Sequence, residues 1–479
     1  MKKLVSILVL CALLLLSACG NSGDGSTRIT LNGSSASVKG GGASVEDNQI
    51  TIKATGTYIV SGTLTDGQLI VDTGDDAMNV TIVLENAVIT NLSGPALHIL
   101  QAKNVRLQLA EDTENTLTSG TEQPLGQVDE TASGGAIFAE DDLDIEGEGT
   151  LLIRGYLNNG ITCKDDLDIN SGTIDVLAVN NGVRASESLE VKGGVLHVRA
   201  GNDGLKTSSA AKEGKGYITI SGGDVILRTT GDGVSAETEF LMAGGSLAVT
   251  AEGDPALVSS NAVKAKTGLT VSGGTVKLTA QDHALDSGAA VTISGGDLEL
   301  TATNGKGIDA EEAVTISGGS LRIESSGDGI SSPADVRVSG GSLTITSQGD
   351  GIESGESSNS VGTLEISGGS VAICAVKRSL DAKGALRLSG GEVLALSGSE
   401  KQTGPDEAEG LGWLLSRLSG EAGERVTVGE AAEDGGLLSA FAYKNVFCAG
   451  SDLPIGEMVT VSNGVRSLNA AVFSGPMSD

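Results

Sequence analysis

Apolar and polar residues alternate along this chain in three short strips that return every 22 or 23 residues. The first strip lies two and four places after a glycine: Leu151 and Ile153, Ile174 and Val176, Leu196 and Val198, Leu321 and Ile323, Leu343 and Ile345. The second is shorter and follows an Asp-Gly or Asn-Gly: Ile161, Val183, Leu205, Val234, Ile330, Ile352. The third precedes the next Ser-Gly: Leu143 and Ile145, Leu167 and Ile169, Ile218 and Ile220, Val291 and Ile293, Val336 and Val338. Alternation with period two predicts strands. Their regular return predicts one unit stacked on itself. With the strips facing inward, each strand pairs with its equivalent one rung away, giving an all-β, three-faced parallel β-helix over residues 28–398. Residues 399–479 leave the pattern and are expected to form a C-terminal β cap, because a stack must cover its exposed end.

The marker glycines are Gly149, Gly172, Gly194, Gly223, Gly245, Gly274, Gly296, Gly319, Gly341, Gly369 and Gly391, with three steps of 28 or 29 residues among the regular ones. We place the extra residues of those steps at Ser208–Lys215, Ser259–Thr267 and Ser354–Val361, between the second and third strips. Loops leaving one corner would flank a long flat surface suited to an extended polymer. The lysines they carry, Lys212, Lys215, Lys264 and Lys266, either meet anionic sugar groups or are ordinary surface residues. A leucine-rich horseshoe needs a helical segment in each repeat, which this Gly-, Ser- and Thr-rich chain lacks. A nine-residue calcium roll fails on period.

Composition adds the compartment. Residues 1–19 pair Lys2 and Lys3 with an apolar stretch from Leu4 to Leu16 and end in Leu16-Ser17-Ala18-Cys19, which resembles a bacterial lipobox. Cys19 is then the lipidated first residue, residues 20–27 are a flexible tether, and the protein is anchored to the outer surface of a cell membrane. The net charge of −31, without a basic stripe or interleaved aromatics, excludes nucleic acid as a partner. Cys163 and Cys374 are about nine rungs apart, too far to bridge. The three histidines fall on different rungs, so neither a zinc site nor a Ser-His-Asp triad is expected.

The candidate chemistry is acidic. Asn158, Asn159, Asn181, Asp203, Asp232, Asp254, Asp282, Asp328 and Asp350 fall near the corner between the first and second strips. Asp-Gly and Asn-Gly are favoured turn dipeptides, yet stacked carboxylates about 4.8 Å apart repel by about 3.5 kcal/mol at an effective dielectric of 20. A hard cation such as calcium would neutralise them. Glu140-Asp141-Asp142, Lys164-Asp165-Asp166 and Ser186-Glu187-Ser188 occupy one corner on three successive rungs, a second candidate for a divalent cation.

The run Arg28-Ile29-Thr30-Leu31-Asn32-Gly33, the segments Gly56–Gln68 and Leu109–Thr118, and the Asp-Asp-Leu and Gly-Asp-Gly-Ile rungs together resemble the clostridial-type carbohydrate-binding β-helix proteins. The resemblance covers about residues 28–396. It implies a right-handed helix, bound calcium, and recognition of cellulose or of acidic polysaccharide such as polygalacturonate, with pectate-lyase-like architecture. Carried over residue by residue, it implies metal ligands at Asp141, Asp142, Asp165 and Asp166, and matches Asp203, Asp232, Asp328 and Asp350 by their Asp-Gly positions; Glu187 joins the set by its place in the rung. Asp254-Pro255-Ala256, Asp282-His283-Ala284 and Lys377-Arg378-Ser379 depart from the Asp-Gly-Ile corner, so a metal ladder should be interrupted there. One Trp, four Tyr and five Phe form no spaced row, which argues against an aromatic platform for crystalline cellulose. Trp413 is expected to plug the end of the stack.

The leading expectation is therefore a monomeric, non-catalytic binder of plant cell-wall or other acidic polysaccharide, assisted by calcium. A calcium-dependent lyase is the alternative, with Lys164, Arg184 and Lys206 as the basic residues to test. A structural or adhesive rod is the third reading.

Overall fold

The computed structural model describes residues 25–128, 134–210, 212–254, 256–355, 361–429 and 436–476. The leader, Cys19 and the first part of the tether lie outside them. Among the described residues there is no helix, and so none long and apolar enough to cross a membrane. The chain is all-β, with long, mainly parallel sheets.

Each strip forms the strand its alternation predicts. Strand Thr150–Gly155 pairs in parallel with Thr173–Ala178 (Leu151 opposite Ile174), and that strand with Val195–Ala200 (Ile174 opposite Leu196). The second strips stack as Ile161, Val183, Leu205 and Val234. The third stack as Leu143, Leu167, Leu189 and Ile218. Every strip residue named above is buried, and together they form one apolar column from Ile29 to Ala449.

Two details differ from expectation. The three strips do not make three separate sheets: second strips form a 15-stranded sheet, whereas first and third strips share a 28-stranded one. The cause is the Ser-Gly-Gly corner, which strands such as Val336–Ser347 and Leu364–Ala375 cross without interruption. Ten of the eleven marker glycines have positive φ there, between 78° and 98°, but Gly149 does not, and Gly147 takes that conformation on its rung.

The glycines of the Asp-Gly and Asn-Gly corners serve another purpose. None of Gly160, Gly182, Gly204 or Gly233 has positive φ. A Cβ on Gly182 would lie 2.8 Å from the Gly204 carbonyl oxygen and against Val198 in the core. These glycines permit close approach between rungs, and the fully buried Ala262 and Ala284 take the same place on two other rungs.

Both ends of the stack are closed by antiparallel pairing, which satisfies edge groups that would otherwise recruit another chain. Thr27–Gly33 pairs with Ala36–Lys39 at the first rung. At the other end Leu386–Ser397 pairs with Asn445–Gly450, and that strand with Gly412–Ser416. Trp413 is 1% exposed among these strands, and its indole N–H donates to the Gly475 carbonyl at 3.0 Å.

Candidate functional site

The second-strip sheet turns one side chain per rung away from the core, and from Val183 onward its strands are three residues long with that side chain in the middle. Strand register aligns these outward residues in a row: His98, Phe138, Thr162, Arg184, Lys206, Ser235, Lys264, Asp286, Asp309, Ser331, Glu353, Asp381. His98 and Phe138 stack with ring centroids 5.1 Å apart, an aromatic pair invisible in sequence because forty residues separate its members. The row then runs from cationic to anionic.

The insertions flank both edges of this face rather than one. Ser208–Lys215 and Ser354–Val361 leave the chain after the second strip as expected, with residue 211 and residues 356–360 outside the described ones. The third does not: Asn261 occupies the corner and Val263–Ala265 is the second-strip strand, so the extra residues are those around Asp254–Ser260, before the strand. Lys264 is consequently an outward sheet residue, paired with Asp286 at 2.9 Å, and Lys266 pairs with Glu237 at 2.7 Å. Asp254-Pro255 matches the corner pattern locally, and pairing with Val234–Ala236 sets the register instead.

Along one edge the polar corner residues form a ladder of hydrogen bonds. Asn159 Oδ1 accepts from the Asn181 backbone N–H at 3.1 Å, Asn181 Oδ1 from Asp203 N–H at 3.2 Å, Asp203 Oδ1 from Asp232 N–H at 2.8 Å, and Asp232 Oδ1 from Asn261 N–H at 2.9 Å. Asn261 and His283 continue it, the latter through Nδ1, which accepts from the Lys306 N–H at 3.0 Å. Lys306 has no acceptor to offer. The pattern resumes at Asp328, whose Oδ1 accepts from Asp350 N–H at 2.6 Å, and at Asp350, which accepts from Arg378 N–H at 2.7 Å. The hydrogen-bond ladder thus runs through the His283 corner, because capping an N–H requires an acceptor and not a charge. Asp254 stands apart and caps the Ala256 N–H in its own loop.

Asp203 and Asp232 are each 5% exposed and committed to this ladder, with Lys206 on Asp203 at 2.6 Å. Burial first, then the Asp203 charge, push the Asp232 carboxyl up to about 6 from its ordinary 3.8. As pH rises, the unfolded chain loses this proton before the folded one does, so stability falls between about pH 4 and pH 6, and the penalty is complete above that window. An asparagine keeps the accepting oxygen, as at Asn159 and Asn181. Asp232→Asn should therefore raise stability at pH 7 by about 1–2 kcal/mol and change it little at pH 4; urea unfolding at the two pH values checks this.

Two acidic groups come together elsewhere. Asp142, Asp165 and Asp166 bring carboxylate oxygens within 4.8 Å of one another at the corner after the second strip, and Asp328, Asp350 and Glu353 do the same across the second-strip sheet. Glu353 escaped the sequence reading because it is the outward residue of a strand, not part of a corner motif. Asp141 is not in the first group; its Oδ2 accepts from the Ala102 N–H of the rung before at 2.8 Å.

Burial pushes the Asp142 carboxyl upward, while burial and the adjacent Glu187 push Asp165 up to about 6. These shifts mark negative charge that the protein compensates only in part. Glu187, despite its burial, is held below the usual range by Lys212, Asp165 and Lys215. Lys215 also reaches Asp166 at 2.6 Å, so the lysines of the 208–215 insertion turn onto the acidic corner. The three aspartates are hard oxygen donors of the kind calcium takes, so the residues fit such an ion, with Lys215 competing for Asp166.

The basic residues of the lyase alternative make contacts outside the Asp142, Asp165 and Asp166 group. Lys206 is engaged by Asp203, Lys164 lies 5.8 Å over the Phe138 ring, and Arg184 donates to Ser208 Oγ at 3.3 Å while its Nε has no hydrogen-bond partner. Cys163 and Cys374 are buried free thiols and Cys448 a half-buried one, with burial pushing Cys163 and Cys448 up to about 12.

The chain matches the family described as carbohydrate-binding domain-containing protein over residues 46–305 and 296–434. A protein of that description from Acetivibrio thermocellus is 30% identical over 188 residues, which is 37% of this chain and 65% of that protein. The chain thus spans less than two thirds of the relative's length. A solved structure, a polysaccharide lyase-like protein from C. thermocellum as a gadolinium derivative, aligns with a TM-score of 0.47 at 29% identity, covering 51% of this chain and 96% of that one. Since the family match spans most of the sequence, the chain belongs to the carbohydrate-binding domain-containing proteins.

Proposed function

We propose that this protein is a surface-anchored, non-catalytic binder of acidic polysaccharide of the polygalacturonate type, or of cellulose, assisted by calcium. The observation that carries the reading is the second-strip face: a row of polar, charged and aromatic side chains directed away from the core, one per rung, half-buried except for the buried Phe138, Thr162, Ser331 and Asp381, and bordered by insertions on both edges. A periodic strip of this kind suits a periodic polymer better than a small molecule, which needs an enclosing pocket. The family membership supports carbohydrate as the ligand class.

Asp142, Asp165 and Asp166 would hold the calcium, which would supply positive charge between protein carboxylates and uronate groups. The proposal takes the stack as a right-handed parallel β-helix of about 22 residues per rung, a hand that rests on the family resemblance. It takes Cys19 as the lipid-bearing residue, supported by the Leu-Ser-Ala-Cys ending of the apolar leader, and the chain as a monomer.

The test is co-sedimentation of the full-length chain, in mild detergent, with insoluble pectate and with cellulose, in calcium and in chelator. Retention on pectate should rise at least tenfold with calcium and release no unsaturated uronide. Asp142→Asn with Asp165→Asn should remove that calcium-dependent part. Unsaturated product would make the protein a lyase, and no retention on either polymer would leave the structural rod.

A further inference from the structure

A separate feature lies on the outward side of the first-strip strands, away from the acidic corners. Arg154, Leu177, Arg199 and Arg228 are direct neighbours on four successive rungs. With Asp175, His197 and Ile226 of the adjoining row they line a shallow depression of about 470 Å³. The sequence could have disclosed them, since all four stand five places after a marker glycine.

The charge balance here is unlike that of the rest of the molecule. Arg154 binds Asp175 at 2.6 Å, which uses the acid of the depression. Arg199 and Arg228 are exposed, face each other across one strand spacing, and make no ion pair among the described residues. Like charges directly opposite in a sheet are unfavourable, and in a chain of net charge −31 carboxylates to pair them are abundant in composition. Leu177, between Arg154 and Arg199 in the row, and Ile226, beside His197 in the adjoining one, put half-buried apolar surface next to the guanidiniums, where the C–H face of a sugar ring would lie.

We propose that this depression is a second, calcium-independent glycan subsite, in which Arg199 and Arg228 bind carboxylates of a uronate-bearing strand lying over Leu177 and Ile226. Guanidiniums match carboxylates in planar, bidentate geometry, and a glycan with a carboxylate on every sugar meets their row with a periodic row of its own. The proposal rests on the polysaccharide-binding reading but not on its metal.

The experiment is calorimetric titration of the full-length chain in detergent with oligogalacturonide and with a neutral galactan oligomer of equal length, in EDTA and in calcium. In EDTA the wild-type chain should bind the charged oligomer, more weakly as sodium chloride is raised, and Arg199→Gln with Arg228→Gln should weaken it at least tenfold. The neutral oligomer should show no such loss, and the melting temperature should not fall, because both side chains are exposed and their mutual repulsion is relieved. Undiminished binding by the double variant would overturn the subsite. Wild-type binding that requires calcium would overturn it too, while leaving the proposed function standing. Wild-type binding to neither oligomer in either condition would sink both, and a calcium-dependent increment that survives Asp142→Asn with Asp165→Asn would remove only the metal assignment.

Discussion

Gly245→Val should destabilise the stack by roughly 3–5 kcal/mol and disrupt the rungs on either side of it. Two independent penalties meet at this residue. Its φ of +78° is a conformation that a β-branched side chain scarcely adopts. A Cβ there would also lie 2.6 Å from the Gly223 carbonyl oxygen of the preceding rung. The obstacle is backbone held by its own ladder, so relief requires rungs to separate, and neighbouring rungs are what stabilise each other in a one-dimensional stack. Gly41→Ala is the control: it has ordinary φ and nothing within 4 Å of the added carbon, so its effect should stay within about 0.5 kcal/mol. Urea unfolding of both variants, with hydrogen exchange to locate the opened rungs, is the measurement. Wild-type stability in Gly245→Val would refute the account of the corner.

Asn181→Ala should cost about 2–3 kcal/mol, an unusual loss for a side chain that touches no ligand. Asn181 is 5% exposed and serves both neighbours in the ladder. Its Oδ1 accepts from the Asp203 N–H and from Asn202 Nδ2 at 3.1 Å, and its Nδ2 donates to Asn159 Oδ1 at 2.9 Å. Alanine leaves the buried Asp203 N–H without its acceptor and removes one of the two donors to Asn159 Oδ1. Asn181→Asp retains the acceptor, so it should restore the Asp203 N–H bond while adding repulsion with the Asp203 carboxylate. Faster exchange of the Asp203 amide in Asn181→Ala, but not in Asn181→Asp, would separate the capping role from a general packing loss. Equal exchange in all three proteins would show that the ladder is incidental.

How far the sequence carried the reading differs from strip to corner. The strips were legible because burial and alternation are the same fact: Leu151, Ile174 and Leu196 are apolar, two apart from the next apolar residue, and buried. The acidic corner at Asp142, Asp165 and Asp166 was legible because three rungs repeat one spacing. The corner aspartates Asp203 and Asp232 were harder, since the letters of a turn dipeptide do not say whether an oxygen faces solvent, a cation or the next amide. Burial resolves that, and it places them under backbone N–H groups. The register at Asn261 could not be read either, because an Asp-Pro seven residues upstream satisfies the local pattern equally well.

The sequence by itself determined that the chain is all-β, that its unit is a rung of three strips, and which residues fill the core, because a two-residue alternation at a fixed return leaves one way to bury the apolar side chains. Tertiary structure alone decided what the polar residues do. Residues one rung apart in space are 19 to 40 apart in sequence, as with Gln49 and Gln68, Arg199 and Arg228, or His98 and Phe138. Whether such a pair repels, stacks or shares a proton depends on stacking register and solvent access, which no single rung contains.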